Sequence, residues 1–212
     1  MKNYMKRLAI YIAGLMILAF GVAFSIRSKL GVSPVSSLPA TLNLVTGLSV
    51  GTLTFIFFGI CVFGQFLILR KNFKVKHLLQ LVFSSVFAVF VDFAMAFTAP
   101  IVPGSYPVKV MLLLTSLMFI GIAIFFLVLT DIVYNAPEGF CKVFADRYNL
   151  EFSFVKSRFD ISCVILSIVL ALIFLGNLGI VREGTVIAAL SIGKIVGFLM
   201  KRFGRQLTLI YT

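Results

Sequence analysis

Acidic residues are scarce in this chain. Seven Asp and Glu stand against nineteen Lys and Arg, and charged residues make up only 12% of the 212. A soluble domain carries about 25% charge and about 45–50% apolar residues. With 61% apolar residues and a mean hydropathy of +1.13, the chain cannot cover its surface in water. This excludes a soluble enzyme and makes lipid part of its solvent. Tryptophan is absent, so any aromatic belt at the membrane boundary falls to Tyr4, Tyr11, Tyr106, Tyr134, Tyr148 and Tyr211. Histidine is reduced to His77, and Cys61, Cys141 and Cys163 are scattered with no CxxC spacing. That pattern gives neither a disulfide framework nor a zinc site, and no metal or cofactor is expected. A nucleophile elbow, a P-loop and a dinucleotide fingerprint are all missing, so no enzymatic activity is expected.

The net charge of +12 raises the question of nucleic acid. Basic residues that bind it cluster on one face with stacking aromatics. Here they fall between apolar runs, as the positive-inside rule predicts, and no nucleic-acid partner is expected. Taking roughly 20 apolar residues per span, the chain reads as six transmembrane helices near 7–26, 52–69, 78–99, 108–130, 159–176 and 184–201. The apolar run Leu8–Phe24 exceeds the 7–15 residues of a signal peptide's core and lacks a small-x-small cleavage site, so it is expected to be a retained first span. Lys2, Lys6, Arg7, Arg70, Lys71, Lys74, Lys76, Lys142, Arg147, Lys156, Arg158, Lys201, Arg202 and Arg205 share one side, against Arg27, Lys29, Lys109 and Arg182 on the other. Both termini are therefore expected in the cytoplasm.

Pro100, Pro103, Gly104 and Pro107 divide this single polytopic membrane domain into halves, about 1–103 and 104–212. Each half has a span, a long link with an early proline, a second span, a hairpin and a third span. Pro34 corresponds to Pro137, and Val75-Lys76 to Val181-Arg182, at an offset of about 103 to 106 residues. Three spans per half is odd, so the second half is expected upside down. The fold class is thus an all-α membrane protein with an inverted 3+3 repeat, an arrangement that often builds a site near the midplane from discontinuous helices.

The two long links predict two short helices, near 34–46 and 136–148, either re-entrant or interfacial. In the first, Ser33 can cap, Pro34 takes the first helical position and Gly47 ends the helix. In the second, Asn135 can cap while Glu138 reaches back in a capping box. Phe140, Val143, Phe144 and Tyr148 then follow at helical spacing, as on an amphipathic surface helix. Ser33, Ser36, Ser37, Asn135 and Glu138 would line a place where helix N-termini offer partial positive charge to a substrate; capping alone is the plainer alternative.

Charges within spans cost about 2.5 kcal/mol or more at the centre. Asp92 lies roughly 21 Å from the cytoplasmic side and Lys194 roughly 15 Å from the outer side, at 1.5 Å per residue. They form either a structural ion pair or part of a substrate or proton site. Asp131 ends the fourth span, where the helix dipole disfavours an anion, and is expected to find Lys142 or Arg158. Asp160 is expected to cap its helix or to pair locally with Arg158 or Lys156. Gly184, Gly193 and Gly197 read as close helix packing.

Leu30-Gly31-Val32-Ser33-Pro34, Leu48-Ser49-Val50-Gly51-Thr52, and Gly184-Thr185 with Gly193 resemble the YczE/YyaS/YitT family of bacterial integral membrane proteins. The resemblance spans nearly the whole chain and implies a bacterial cytoplasmic (inner) membrane protein and presumed transporter. Where the family pattern places an acidic residue after the first-half proline, this chain has Ser36 and Ser37; in the second half Glu138 follows Pro137 directly. The expected function is a small secondary transporter or permease for an unknown small molecule, working as a homodimer in the lipid bilayer. The alternatives are the capture subunit of an ATPase-driven vitamin importer and a non-transporting scaffold or assembly factor.

Overall fold

The computed structural model describes residues 2–130 and 132–208. Among them the structure is all-helical. The helices are α1 (Lys2–Ser28), α2 (Pro34–Thr46), α3 (Val50–Leu69), α4 (Val75–Phe97), α5 (Tyr106–Thr130), α6 (Ala136–Tyr148), α7 (Phe152–Leu175) and α8 (Glu183–Thr208), with a 3-10 turn at Arg70–Asn72 after α3. Six of them are long and apolar enough to cross a membrane: α1, α3, α4, α5, α7 and α8. The protein is a multi-pass membrane protein. The short helices α2 and α6 occupy the expected ranges, with Gly47 (φ 74°) closing α2 and Asn149 (φ 52°) closing α6. The fifth span, α7, begins seven residues before the expected 159. Its charged first turns, with Lys156 and Arg158, are helical although they are too polar for hydrocarbon.

The described chain forms two compact units, each drawing on both sequence halves. One comprises residues 1–33, 93–132 and 182–212, the other residues 34–92 and 133–181.

In the first unit α1 and α5 run antiparallel in close contact. A Cβ on Gly14 would touch Phe126 and Leu127, one on Gly21 would meet Ile120 at 2.7 Å, and Arg7 donates to the Thr130 carbonyl at 2.5 and 3.0 Å. These are the first spans of the two halves, and their opposed directions are those of an inverted repeat. The chain leaves α1 through Ser25, whose hydroxyl donates to the Gly31 carbonyl at 3.0 Å. Gly31 (φ 132°) lies against the start of α8: the Gly184 N–H donates to the Leu30 carbonyl (2.7 Å), and the Val32 N–H to Thr185 Oγ1 (3.2 Å). At the other end of this link, Arg27 donates to the Met95 carbonyl at 2.8 Å, satisfying an orphan acceptor at the end of α4.

The second unit holds both short helices. α2 packs on α7 and α3, and α6 packs on α3 and α7, so the pairings exchange when the halves are exchanged. The crossings also correspond in position. Ser37 meets Ser167, whose hydroxyl donates to the Ser37 carbonyl at 3.1 Å. Phe140 lies over Gly64. Phe140 follows Ser37, and Ser167 follows Gly64, by the same 103 residues. Ser167 sits eight residues before the end of α7, about 12 Å of helix rise. α2 therefore meets α7 within its length and not at its tip, and its buried residues, Pro34 and Ser37 through Thr41, are uncharged.

Candidate functional site

α6 begins at an Ala-Pro step whose first turn is buried in the second unit. Ala136, Pro137, Gly139, Cys141 and Ala145 form its buried face. Of the expected amphipathic stripe, Phe140 and Phe144 pack at the margin of that face, and the deepest residues of the face are small. They let α6 approach α3 closely, while Phe140 and Phe144 are half-buried and Tyr148 is exposed. Asn135 occupies the N-cap position, but its side chain makes no capping bond, so the expected capping box does not form. Glu138 turns instead to α7.

Around that turn the second unit gathers its polar side chains. Gln65 on α3 donates to Gln80 on α4 (2.8 Å) and to the Ala136 carbonyl (3.2 Å), and Gln80 donates back to Gln65 at 3.2 Å. Both amides are buried and would meet any Cβ placed on Gly139. On the α7 side, Glu138 Oε1 is 3.7 Å from Lys156 Nζ, and the same ammonium bonds Asp160. Of the two expected partners of Asp160, Lys156 is the one used. Although 31% of the Glu138 side chain is exposed, its Oε2 is sealed from solvent. Among the described residues it is a buried side-chain oxygen with no hydrogen-bond partner. Burial pushes the Glu138 carboxyl above the usual carboxylate range, Lys156 opposes that rise and Asp160 adds to it.

The three cysteines, from α3, α6 and α7, also lie in this region, near enough to act on one another's charge, which their spacing in sequence could not reveal. Cys141 is fully buried and packs with Ala145 and Val155. Its thiol is pushed up to about 12 by burial and by the negative field of Glu138, Asp160 and Cys163, against Lys156. Thiolates are the reactive form, and Cys61 and Cys163 are buried as well. All three should resist a maleimide in the folded protein and react once it is denatured in SDS, as counted by intact-mass spectrometry; labelling of the folded protein would show this region to be open.

A family model matches residues 5–201; it describes a family of unknown function, DUF6198. The chain belongs to the DUF6198 family. No curated protein and no solved structure matches it.

In this DUF6198 member the expected site residues fall into separate places. Glu138 lies in the cluster just described, with Asn135 at its edge. Ser37 is buried in the equivalent α2 crossing, where its hydroxyl donates to the Pro34 carbonyl at 2.6 Å, and the Thr41 and Ser167 hydroxyls bond each other at 2.6 Å. Ser36 of α2 is half-buried, and so is Ser33, which falls in the first unit. Asp92, near the far end of α4, has both oxygens engaged at the start of α3: Oδ1 accepts from the Gly51 N–H (2.7 Å) and Oδ2 from the Ser49 hydroxyl (2.6 Å). Lys194 is exposed on α8 in the first unit. Gly184 packs on Leu30, as expected of close packing, whereas Gly193 and Gly197 face open space. Asp131 lies outside the described residues. Sequence reading missed Gln65, Gln80 and the pairing of Lys156 with Glu138. The available signal was two glutamines and a lysine inside or just before apolar spans, each needing a partner.

The Glu138 environment has a consequence for stability. A carboxyl whose folded-state pKa is raised keeps its proton in a pH interval where the unfolded chain has lost it. Stability must then fall as pH rises from the ordinary carboxylate range (about 4.3) through the raised value. Thermal unfolding in detergent should show that decline, and Glu138→Gln should flatten it; an identical pH profile in the variant would refute the assignment.

Proposed function

We propose that the protein is a small secondary transporter of a bacterial cytoplasmic membrane, with both termini in the cytoplasm. The observation that carries this reading is the pair of non-spanning helices, α2 and α6. Each starts at or beside a proline, and each is set against the spans by contacts that exchange between the halves at a constant offset. Discontinuous helices within inverted repeats are the construction from which secondary transporters make substrate sites, whereas a scaffold has no need to bury polar helix starts among apolar spans. The Lys and Arg distribution supports the orientation, and the resemblance to YczE/YyaS/YitT proteins supports the membrane. On this reading the Glu138 cluster belongs to the cytoplasmic side, near the Arg70–Asn72 turn.

The test begins with the tagged protein purified from its native membranes in mild detergent, its stoichiometric companions identified by mass spectrometry. The expected result is recovery alone or as a homo-oligomer. A metabolite should then raise its melting temperature and be accumulated by proteoliposomes under an imposed ion gradient. Recovery with an ATPase and a coupling subunit would make it a capture component instead. Recovery within another membrane complex, with no ligand and no flux, would make it a scaffold.

A further inference from the structure

Glu138, Asp160 and Lys156 contribute two carboxylates and one ammonium, so one negative charge has no counter-charge in the cluster. The groups facing Glu138 do not supply it. From α7 come Lys156 and Asp160, from α3 Cys61 and from α6 itself Cys141, with the uncharged Gln65 and Gln80 amides beside the neighbouring Gly139. Lys156 is the one cation among them, and it is already shared. The other cations of α6 and α7 are occupied or turned outward: Lys142 pairs with Asp146 at 3.1 Å, Arg158 stacks over Phe154 at 4.8 Å, and Arg147 is exposed. A carboxylate in this position has to be neutralised by a proton or by a cation.

We infer that the Glu138 carboxylate is an exchange site, held alternately by a proton and by a primary ammonium group of the substrate. This deepens the transport reading and rests on it. The choice of ammonium comes from the cluster itself. Lys156 shows that an alkylammonium fits between Glu138 and Asp160, and a second one would enter by the exposed third of the Glu138 side chain, displacing the packing that seals the unpartnered Oε2. A metal ion needs several converging ligands, and among the described residues no three His, Cys, Asp or Glu converge to hold one. In the exchange the O–H bond at Oε2 breaks, its proton passes to water, and an N–H of the incoming ammonium donates to Oε2. The charge of the site is unchanged, so one proton leaves for each cation bound. The raised carboxyl of Glu138 supports this, because burial makes it hold a proton more firmly than an ordinary carboxyl does.

The experiment uses the full chain in detergent, in weakly buffered solution with a pH dye. The probes are propylammonium, putrescine and tyramine, with tetramethylammonium as a cation that has no N–H to donate. Each amine should release about one proton per chain, and tetramethylammonium should be at least about tenfold less effective. Glu138→Gln should release none, and Asp146→Asn should behave as wild type. Infrared difference spectra of the wild type should lose the carbonyl stretch of a protonated carboxylic acid on amine addition, a readout that survives if Glu138→Gln fails to fold. Absence of amine-driven release, or equal release by Glu138→Gln, overturns the inference. In proteoliposomes an amine gradient should drive opposite proton movement, read by a trapped dye. Proton release in detergent without flux would keep the exchange site and sink the transport reading. Flux of another metabolite with no amine-driven release would do the reverse.

Discussion

Gly31→Ala is expected to be among the most damaging single-methyl changes in the protein. Gly31 holds φ at 132°, and a Cβ there would stand 2.5 Å from the Thr185 nitrogen and 2.8 Å from its Oγ1. The backbone strain costs about 1–3 kcal/mol and the overpacking against a fixed backbone about as much again. The same movement would disturb the bonds from Gly184 to Leu30 and from Val32 to Thr185. A total near 3–5 kcal/mol corresponds to a fall in melting temperature on the order of 10 °C. Gly47→Ala is the control. Its φ is 74°, but a Cβ meets nothing within 4 Å, so only the left-handed penalty of about 1–2 kcal/mol remains. Equal losses in the two variants would show that the seat against α8 is not what fixes Gly31.

Asp92→Ala should cost about 3 kcal/mol. It removes the acceptor for the Gly51 N–H and the Ser49 hydroxyl, two charge-assisted bonds of about 1.5–3 kcal/mol each. It also removes a negative charge from the N-terminus of α3, where the helix dipole favours one. Ser49 would still cap the helix by accepting from the Thr52 N–H at 3.1 Å, which limits the damage. Asp92→Asn keeps one oxygen and should lose about half as much. A double-mutant cycle with Ser49→Ala should return a coupling of about 0.5–3 kcal/mol. If Asp92→Ala leaves thermal unfolding untouched while abolishing flux, the carboxylate serves the substrate and not α3. Gly51 tightens the arrangement, because a Cβ there would collide with the Ala88 carbonyl and the Asp92 carboxyl.

The spans and both short helices were legible in the sequence because each is marked locally. Apolar length marks the first, and a proline at the start with a Gly or Asn at the end marks the second. The start of α7 was misread because a helix that runs beyond hydrocarbon looks, by composition, like the link before it. The side-chain partnerships were hidden for a different reason. Ser49 and Gly51 stand about forty residues from Asp92, and Glu138 eighteen from Lys156; only the packing of α3 on α4 and of α6 on α7 joins them. The Ser49-x-Gly51 step was visible as part of a family resemblance, yet its bond to the half-buried Asp92 required coordinates. The offset of 103 residues was carried by Pro34 and Pro137, while Val75 and Val181 gave 106; the crossings that fix it pair unlike residues.

That unlikeness gives the two equivalent joints different mechanics. Where α2 crosses α7, Ser37, Thr41 and Ser167 are tied by directional bonds whose loss in an apolar setting leaves hydroxyls stranded, so the joint behaves as a latch. Where α6 crosses α3, a phenyl ring rests on the bare backbone of Gly64 and the Gln65 amide donates to the Ala136 carbonyl, so the joint combines close packing, whose dispersion energy falls off within about an ångström, with a tie to the helix start. Of the two equivalent helices, α2 is thus held through hydroxyls, while α6 is held through amides at its start and through the charge of Glu138 on Lys156.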